Sequence, residues 1–221
     1  MSSEYVARAG TERGEVVLRR RDRDGALELR VNGVFVMDTA QTHTERLLAR
    51  TTLDAVPTTP GGLTVLVGGL GLGFTLAEVL GDERVACVIV AEIEECLVQW
   101  HRDGLIPDSP VADPRVRIVT ADVREVVARL RPGSLDLLLL DVDNGPDFLV
   151  YDINAAIYEG EFLTSCHDVT RPGGIVAVWS ADTSDDLRAA MRAVFCDCDE
   201  LKIPVTLAQR DTTYHLFLAS R

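Results

Sequence analysis

Residues 63–80 read LTVLVGGLGLGFTLAEVL, and this stretch decides the fold of the chain. Its first five residues form a short, largely apolar run with two valines, which is typical of a parallel strand covered on both faces. Gly69, Gly71 and Gly73 alternate, so that the backbone can turn sharply and approach a ligand closely. The predicted helix that follows directs free N–H groups and a positive dipole end at the same place. The order strand, glycine turn, helix predicts the ligand-binding loop of a doubly wound α/β sheet.

A second predicted strand, residues 85–92, ends in an acid about twenty residues after the glycines. In a doubly wound sheet the acid at this position lies beside the glycine loop and accepts hydrogen bonds from ribose hydroxyls. The alternative for Glu92 is a solvated strand end. Because strand, glycines, helix, strand and acid agree with one another, we predict the ribose role.

Two further predicted strands also end in acids. Residues 115–122 end in Asp122, which could accept from an adenine amino group or could cap the helix predicted at 123–130. The leucine-rich strand 135–140 delivers Asp141 to the carboxyl edge of the sheet, where open α/β sheets bind ligands. We therefore predict Glu92 and Asp122 as nucleoside-binding residues and Asp141 as a catalytic residue.

The segment after Asp141 is dense in acids and turn-forming residues, which is typical of a site loop. The alternative is a solvated loop with Asx turns, which is the interpretation we adopt for Asp152 and leave open for Asp147. Asp143 joins Asp141 as a predicted catalytic residue. The candidate substrate-binding residues of the loop are Asn144, Asp147 and Tyr151.

The N-terminal part has a different pattern. Short strands are predicted at residues 15–20, 26–31 and 34–38, separated by the turn dipeptides Asp24-Gly25 and Asn32-Gly33, and a helix begins near residue 42. Residues 1–14 are expected to fray. We predict a small β-rich appendage over residues 1–60 and a nucleoside-binding catalytic domain over residues 61–221, joined at residues 58–62. In that domain we predict helices at residues 154–169 and 185–195 and a fifth strand at residues 175–180. We also predict a closing pair of strands at residues 205–208 and 215–219.

The amino-acid composition argues against several classes of function. The formal net charge of the 221 residues is −13, which argues against non-specific binding of nucleic acid and against docking on anionic membranes. No apolar run approaches the roughly 20 residues that a membrane span needs, and no secretory signal is visible. The five cysteines are odd in number and are expected to be reduced, in a cytoplasmic protein. The scattered histidines and cysteines predict no metal site.

The whole arrangement resembles the Rossmann-like class I S-adenosylmethionine (SAM)-dependent methyltransferase fold, and within it the spermidine synthase family of polyamine aminopropyltransferases. The resemblance covers roughly residues 26–195. It rests on residues 67–73 with the LAEVL that follows, AEIE at 91–94, DPRV at 113–116 leading to Ala121-Asp122, Asp141 after its leucine run, and RPGG at 171–174. Most SAM methyltransferases carry an acid two residues before the first alternating glycine. Here that residue is Val67, as in the aminopropyltransferases.

The resemblance implies Glu92 on the ribose, Asp122 at the adenine, the glycine loop along the methionine-derived arm, and Asp141 facing the reacting amine. It also implies a homodimer formed through the N-terminal appendage. The part of the site that would hold the amine departs from the family pattern. Leu72 stands where the family has an aspartate in the glycine loop, and Asn144 stands where it has a second acid after the strand aspartate. Val36 stands where the family has a glutamine in the preceding strand. The sequence His43-Thr44-Glu45 stands where a family tyrosine would fall.

Three functions follow as expectations. The first is a spermidine-synthase-like transferase that moves an aminopropyl-type group from SAM or decarboxylated SAM to an amine acceptor, without a metal. The second is a SAM-dependent methyltransferase that acts on a small molecule. The third is a catalytically silent, nucleoside-binding dimeric protein. The sulfonium has three carbons open to attack, and the carbon that meets the nucleophile decides between the first two.

Overall fold

The computed structural model describes residues 3–57, 60–147, 149–195, 197–207 and 210–221. Its N-terminal part is a four-stranded antiparallel sheet in the order β1-β2-β3-β4. The strands are β1 (Ser3–Thr11), β2 (Gly14–Arg21), β3 (Leu27–Val31) and β4 (Val34–Asp38). Asn32 and Gly33 have φ of 51° and 77°, the positive values that a type I′ hairpin turn requires. The hairpin predicted at this dipeptide is confirmed.

The main sheet has seven strands in the order β10-β11-β9-β8-β5-β6-β7. Strands β5 to β9 pair in parallel, whereas β11 is antiparallel to both β9 and β10. The strands are β5 (Leu63–Gly68), β6 (Val85–Glu92), β7 (Val116–Thr120), β8 (Leu135–Leu140), β9 (Thr170–Ser180), β10 (Asp199–Leu207) and β11 (Arg210–Ser220). The order reverses between β5 and β8, and a ligand crevice is expected at the carboxyl ends of these two strands. The predicted α/β, Rossmann-like architecture is confirmed.

Helices cover both faces of this sheet. Leu66 and Leu138 pack on one face, and Val65 and Leu137 on the other, as the period of a strand dictates. The α-helices are α1 (His43–Ala55), α2 (Phe74–Leu80), α3 (Glu95–Arg102), α4 (Val123–Ala128), α5 (Gly160–Val169) and α6 (Asp185–Phe195). Among the helices of the described ranges, none is long and apolar enough to cross a membrane.

The N-terminus differs from the prediction. Residues 3–11 do not fray but form β1, which pairs along β2 from Ser3 to Thr11. The apolar pattern of β1 is weak, so the sequence of this segment alone does not indicate a strand. The hydrogen-bond ladder to β2 supplies partners for the backbone N–H and C=O groups of β1. The boundary at residue 60 stays a prediction, although α1 packs on α2 and on the main sheet.

The helix predicted over residues 154–169 is wrong as a single element. It is divided into a 3-10 helix (Asp152–Tyr158) and α5, with Glu159 extended between them. Tertiary hydrogen bonds hold the first piece: Asn154 donates to Asp143 at 2.8 Å and the Tyr158 hydroxyl to the Val142 carbonyl at 2.7 Å. These bonds fix the loop after β8 against the 3-10 helix.

The ends of other elements also differ. Strand β9 begins at Thr170 and includes the RPGG turn, and both closing strands are longer than predicted. Of the predicted segments, Thr58, Thr59 and Ala208 lie outside the described residues, as do Phe148 and Cys196. The cysteines that the structure describes (Cys87, Cys96, Cys166, Cys198) are free thiols.

Candidate functional site

The glycine loop runs from the end of β5 into α2. Gly69 has φ of 91° and donates its N–H to the Ala91 carbonyl at 2.8 Å. A Cβ at this position would lie 2.2 Å from the carbonyl oxygen of Asp141, so only glycine fits between the two loops. Gly71 also lines the cleft beside the loop. Gly73 caps the N-terminus of α2 and faces His101 and Pro110 rather than the cleft.

Glu92 lies at the end of β6 and lines the same cleft. Its carboxylate accepts from the N–H of Leu70 and from the N–H of Glu94, each at 2.8 Å. Burial raises its pKa, while the backbone N–H groups oppose the shift. A carboxylate has about four lone-pair sites, so Glu92 can hold the glycine loop and still accept from a ligand hydroxyl.

Asp122 is the helix cap that the sequence offered as one alternative, and its adenine role stays a prediction. Its side chain caps α4 by accepting from the Arg124 N–H at 2.8 Å, and it also lines the cleft. Burial raises its pKa, but the hydrogen bonds from the Arg124 guanidinium and backbone outweigh burial and hold the pKa below the ordinary value. Asp122 is therefore a fixed anion at the rim of the cleft.

Asp141 follows β8 directly, and its N–H donates to the Gly68 carbonyl at 2.9 Å. The Thr75 hydroxyl donates to its carboxylate at 2.5 Å. Burial raises the pKa of Asp141 to about 6. Asp143 lines the cleft beside it, with a left-handed φ of 56° and its carboxylate bound by Asn154. Burial raises the pKa of Asp143 to about 6 as well.

The three candidate substrate-binding residues lie in different places. Tyr151 lines the cleft, and its hydroxyl donates to Glu94 at 2.9 Å. Asn144 lies away from the cleft lining and donates to the Phe35 carbonyl of the N-terminal sheet at 3.2 Å. Asp147 is exposed and is not part of the cleft lining. The roles of all three stay predictions.

Sequence reasoning missed Glu94 and Arg13. Glu94 is buried, and its carboxylate accepts from the Arg13 guanidinium at 2.8 Å as well as from Tyr151. The same guanidinium donates to the Ile93 carbonyl at 2.7 Å. One carboxylate thus joins the β1–β2 turn, the end of β6 and the loop after β8. Arg13 and Glu94 are 81 residues apart, so local sequence carries no signal of the pair.

Arg13→Ala is expected to destabilise the protein by about 1–3 kcal/mol, because it leaves the buried Glu94 carboxylate without its cation. The measurement is urea unfolding at pH 7.5. The matched control is Arg8→Ala, which removes an exposed pair with Glu15 and should change stability by less than about 1 kcal/mol. Equal effects of the two variants would contradict the structural role of the Arg13–Glu94 pair.

Glu45 was also missed as a site residue. It lies in the first turn of α1, is 7% exposed, and lines the cleft with Asp141. Burial and the neighbouring charge of Asp141 raise its pKa to about 7. The signal in the sequence was the motif His43-Thr44-Glu45 itself, at the place where the family pattern has a tyrosine.

The cleft contains about 930 Å³ of space counted out to its mouth. Apolar side chains from β2, β3, β4 and α3 cover one side of it, so the N-terminal sheet is part of its wall. Its described lining contains no lysine, arginine or histidine, whereas its acids are Glu45, Glu92, Glu94, Asp122, Asp141 and Asp143. No cluster of metal ligands occurs among the residues that the structure describes. The arrangement suits a ligand that is neutral at one end and cationic at the other.

Comparison with known proteins places these features in context. No protein-family model matches the chain. The polyamine aminopropyltransferase 2 of Pseudomonas aeruginosa is 33% identical over 144 residues, which cover 59% of this chain and 39% of that protein. A polyamine aminopropyltransferase of Thermotoga maritima is 29% identical over 157 residues, 69% of this chain and 50% of that protein. The putrescine N-methyltransferase 3 of Nicotiana tabacum is 28% identical over 157 residues, 69% of this chain and 36% of that protein.

Solved structures agree in fold over almost the whole chain. The spermidine synthase of Thermotoga maritima superimposes with a TM-score of 0.83 at 20% identity, covering 98% of this chain and 72% of that one. A spermidine synthase in complex with the transition-state analogue AdoDATO superimposes with a TM-score of 0.85 at 19% identity, covering 98% of this chain and 73% of that one. The predicted fold and the resemblance to the spermidine synthase family are confirmed. The chain spans half or less of the length of the curated relatives described above.

Proposed function

From the likeness to polyamine aminopropyltransferases in sequence and to spermidine synthases in fold, we propose that this protein transfers an aminopropyl group from decarboxylated SAM to a small amine. The observation that carries the proposal is that every charged side chain in the described lining of the cleft is an acid. One part of that lining suits an adenosine unit, and the other suits cations.

The adenosine unit is proposed to lie across the ends of β5, β6 and β7. Glu92 accepts from the ribose hydroxyls, Asp122 from the adenine amino group, and the glycine loop borders the sulfonium arm. The geometry of Glu92 supports this assignment, because its carboxylate is already fixed by two backbone N–H groups and needs no reorganisation to bind. Gly73 caps α2 and is not part of the cleft lining.

The charge of the lining favours decarboxylated SAM over SAM. SAM carries an α-carboxylate, which would face an acidic cleft in which the described lining offers no basic side chain. Decarboxylated SAM lacks that carboxylate, and its charged groups, the sulfonium and the ammonium, are both cationic. Like charges in a desolvated site are costly, so the cleft discriminates against the carboxylated nucleoside.

The acceptor amine is proposed to bind beside Asp141 and Asp143, with Tyr151 at the wall. A free alkylamine has a pKa near that of lysine, about 10.4, so it arrives as an ammonium ion and must lose a proton before it attacks. The neutral nitrogen then attacks the propyl carbon in line, the C–S bond breaks, and the electron pair passes to sulfur as methylthioadenosine leaves. Asp141 positions the nitrogen, and its negative charge stabilises the ammonium product.

Methyl transfer to a small amine is the second candidate. The putrescine N-methyltransferases of Nicotiana tabacum are related over the same share of this chain as the Thermotoga aminopropyltransferase, and this observation favours it. Attack on the methyl carbon of SAM would yield S-adenosylhomocysteine. The absence of a basic group from the described lining speaks against this candidate, because the carboxylate of SAM would lack a partner.

The test is incubation with decarboxylated SAM or SAM and a panel of monoamines and diamines, followed by identification of the nucleoside product by mass. Methylthioadenosine from decarboxylated SAM is expected. S-adenosylhomocysteine would contradict the proposal in favour of the methyltransferase. Tight nucleoside binding without turnover over the whole panel would instead indicate a silent nucleoside-binding protein.

We also propose a cytoplasmic homodimer that binds no nucleic acid. The free thiols support a reducing compartment, and the charge of −13 opposes nucleic-acid binding. The exposed Tyr5, Val34 and Phe35 of the N-terminal sheet support an apolar contact there. Light scattering on the purified protein tests the dimer, and a monomer at micromolar concentration would contradict it.

A further inference from the structure

Glu45 occupies a position that the proposed function leaves without a role. Helix α1 packs on β8, β9 and β11, so its first turn reaches the strand ends where Asp141 lies. The Thr75 hydroxyl connects the two residues: it donates to the Asp141 carboxylate at 2.5 Å and lies 3.3 Å from the Glu45 carbonyl oxygen. Both acids line the cleft.

The charged groups around Glu45 distinguish it from the neighbouring acids. Its carboxylate accepts from the Thr44 hydroxyl at 2.9 Å, and within the described ranges it forms no salt bridge. The neighbouring acids do have cations: Arg21 binds Asp38 at 2.5 Å, and two arginines of α1 bind Glu78. A buried acid without a cation either keeps a proton or binds a cationic ligand.

We propose that Glu45 is a third carboxylate of the amine site, beside Asp141 and Asp143, and accepts the proton that the acceptor ammonium loses before attack. This inference rests on the aminopropyl transfer proposed above. The R–NH3⁺ group gives one proton to the Glu45 carboxylate, which becomes a neutral acid. The lone pair left on nitrogen forms the N–C bond, and the C–S bond breaks with its electron pair going to sulfur. The positive charge of the sulfonium thus passes to the new secondary ammonium.

The titration of the groups that face Glu45 supports this assignment. Burial, then the charge of Asp141 and, more weakly, that of Asp38, raise the pKa of Glu45 to about 7. The pKa of Tyr214, which faces Glu45 from β11, is raised by burial and by the charges of Glu45 and Asp38, so its hydroxyl stays neutral. An acid with a pKa near the operating pH is a better proton acceptor than an ordinary carboxylate.

The test uses Glu45→Gln, which keeps the shape of the side chain and removes its charge. Methylthioadenosine formation is expected to fall about 100-fold, with the KM for decarboxylated SAM nearly unchanged. The acidic limb of the pH–rate profile, which reports the proton acceptor in the wild type, is expected to move from about pH 7 toward about pH 6, where Asp141 and Asp143 still titrate. Glu45→Asp should recover part of the rate. The matched control on α1 is Asp54→Asn, an exposed position that should behave as wild type.

A binding measurement separates this inference from the proposed function. Calorimetry with 1,4-diaminobutane, in the presence of methylthioadenosine, is expected to show about tenfold weaker amine binding to Glu45→Gln. Equal amine affinity and an unchanged rate and pH profile in the variant would overturn the role of Glu45. A wild-type protein that binds no amine would also overturn the role of Glu45. Glu45-dependent amine binding without methylthioadenosine formation would uphold Glu45 as a ligand of the amine but contradict aminopropyl transfer and proton acceptance.

Discussion

Asp141→Asn is expected to lower methylthioadenosine formation by about 1,000-fold while nucleoside affinity stays within about threefold of wild type. Asparagine can still accept from Thr75, so the local geometry should persist. It cannot stabilise the positive charge that develops on the attacking nitrogen. Stopped assays give the rate, and calorimetry with methylthioadenosine gives the affinity.

The same variant should be more stable than wild type at high pH. The folded-state pKa of Asp141 is raised to about 6 by burial, so the folded protein binds more protons than the unfolded chain between about pH 4 and 6. The free energy of unfolding of the wild type therefore falls as pH rises through that window. Above the window, the full cost of burying the ionised Asp141 carboxylate remains. Removing the charge should recover on the order of 2 kcal/mol at pH 8 and little at pH 4.

The control for both effects is Asp186→Asn, at an exposed position on α6. It should change neither the rate nor the pH dependence of the melting temperature. If Asp141→Asn turns over like the control, Asp141 does not face the reacting amine. If its stability gain is the same at pH 4 and pH 8, the carboxyl is not the buried titrating group described above.

Glu92→Gln is expected to weaken nucleoside binding by about 100-fold. The amide has one oxygen where the carboxylate has two, so either Leu70 or Glu94 loses the acceptor for its backbone N–H. The glycine loop then loses a fixed position, and the ribose hydroxyls lose an anionic acceptor. Calorimetry with methylthioadenosine and with decarboxylated SAM measures the loss.

The matched control for Glu92 is Glu125→Gln, whose exposed side chain pairs with Arg129 on α4. It should bind both nucleosides with wild-type affinity. Both variants need unfolding curves, since Glu92→Gln also removes a bond that supports the loop. A folded Glu92→Gln protein with wild-type nucleoside affinity would show that the ribose does not lie at the end of β6.

The features that sequence predicted well are those encoded locally. The strand at residues 63–68 and the glycine turn are specified by neighbouring residues, and residues 135–140 are leucine at every position except Asp136, which is typical of a strand covered on both faces. Glu92, Asp122 and Asp141 follow from such strands, since a strand end fixes where its next side chain lies. All three line one cleft.

The features that sequence missed depend on distant contacts. Strand β1 is held by its pairing with β2 and has little apolar pattern of its own. The break before α5 is fixed by bonds from Asn154 and Tyr158 to the loop after β8. Glu45 enters the cleft because α1 packs on the main sheet, a contact that the periodicity of the helix does not reveal.

Aminopropyl transfer is tested most directly by the mass of the nucleoside formed from decarboxylated SAM and a diamine, compared with SAM and the same diamine. Methylthioadenosine is expected from the first mixture and little reaction in the second, because the cleft offers the carboxylate of SAM no basic partner among its described residues. S-adenosylhomocysteine from the second mixture, with no product from the first, would contradict aminopropyl transfer.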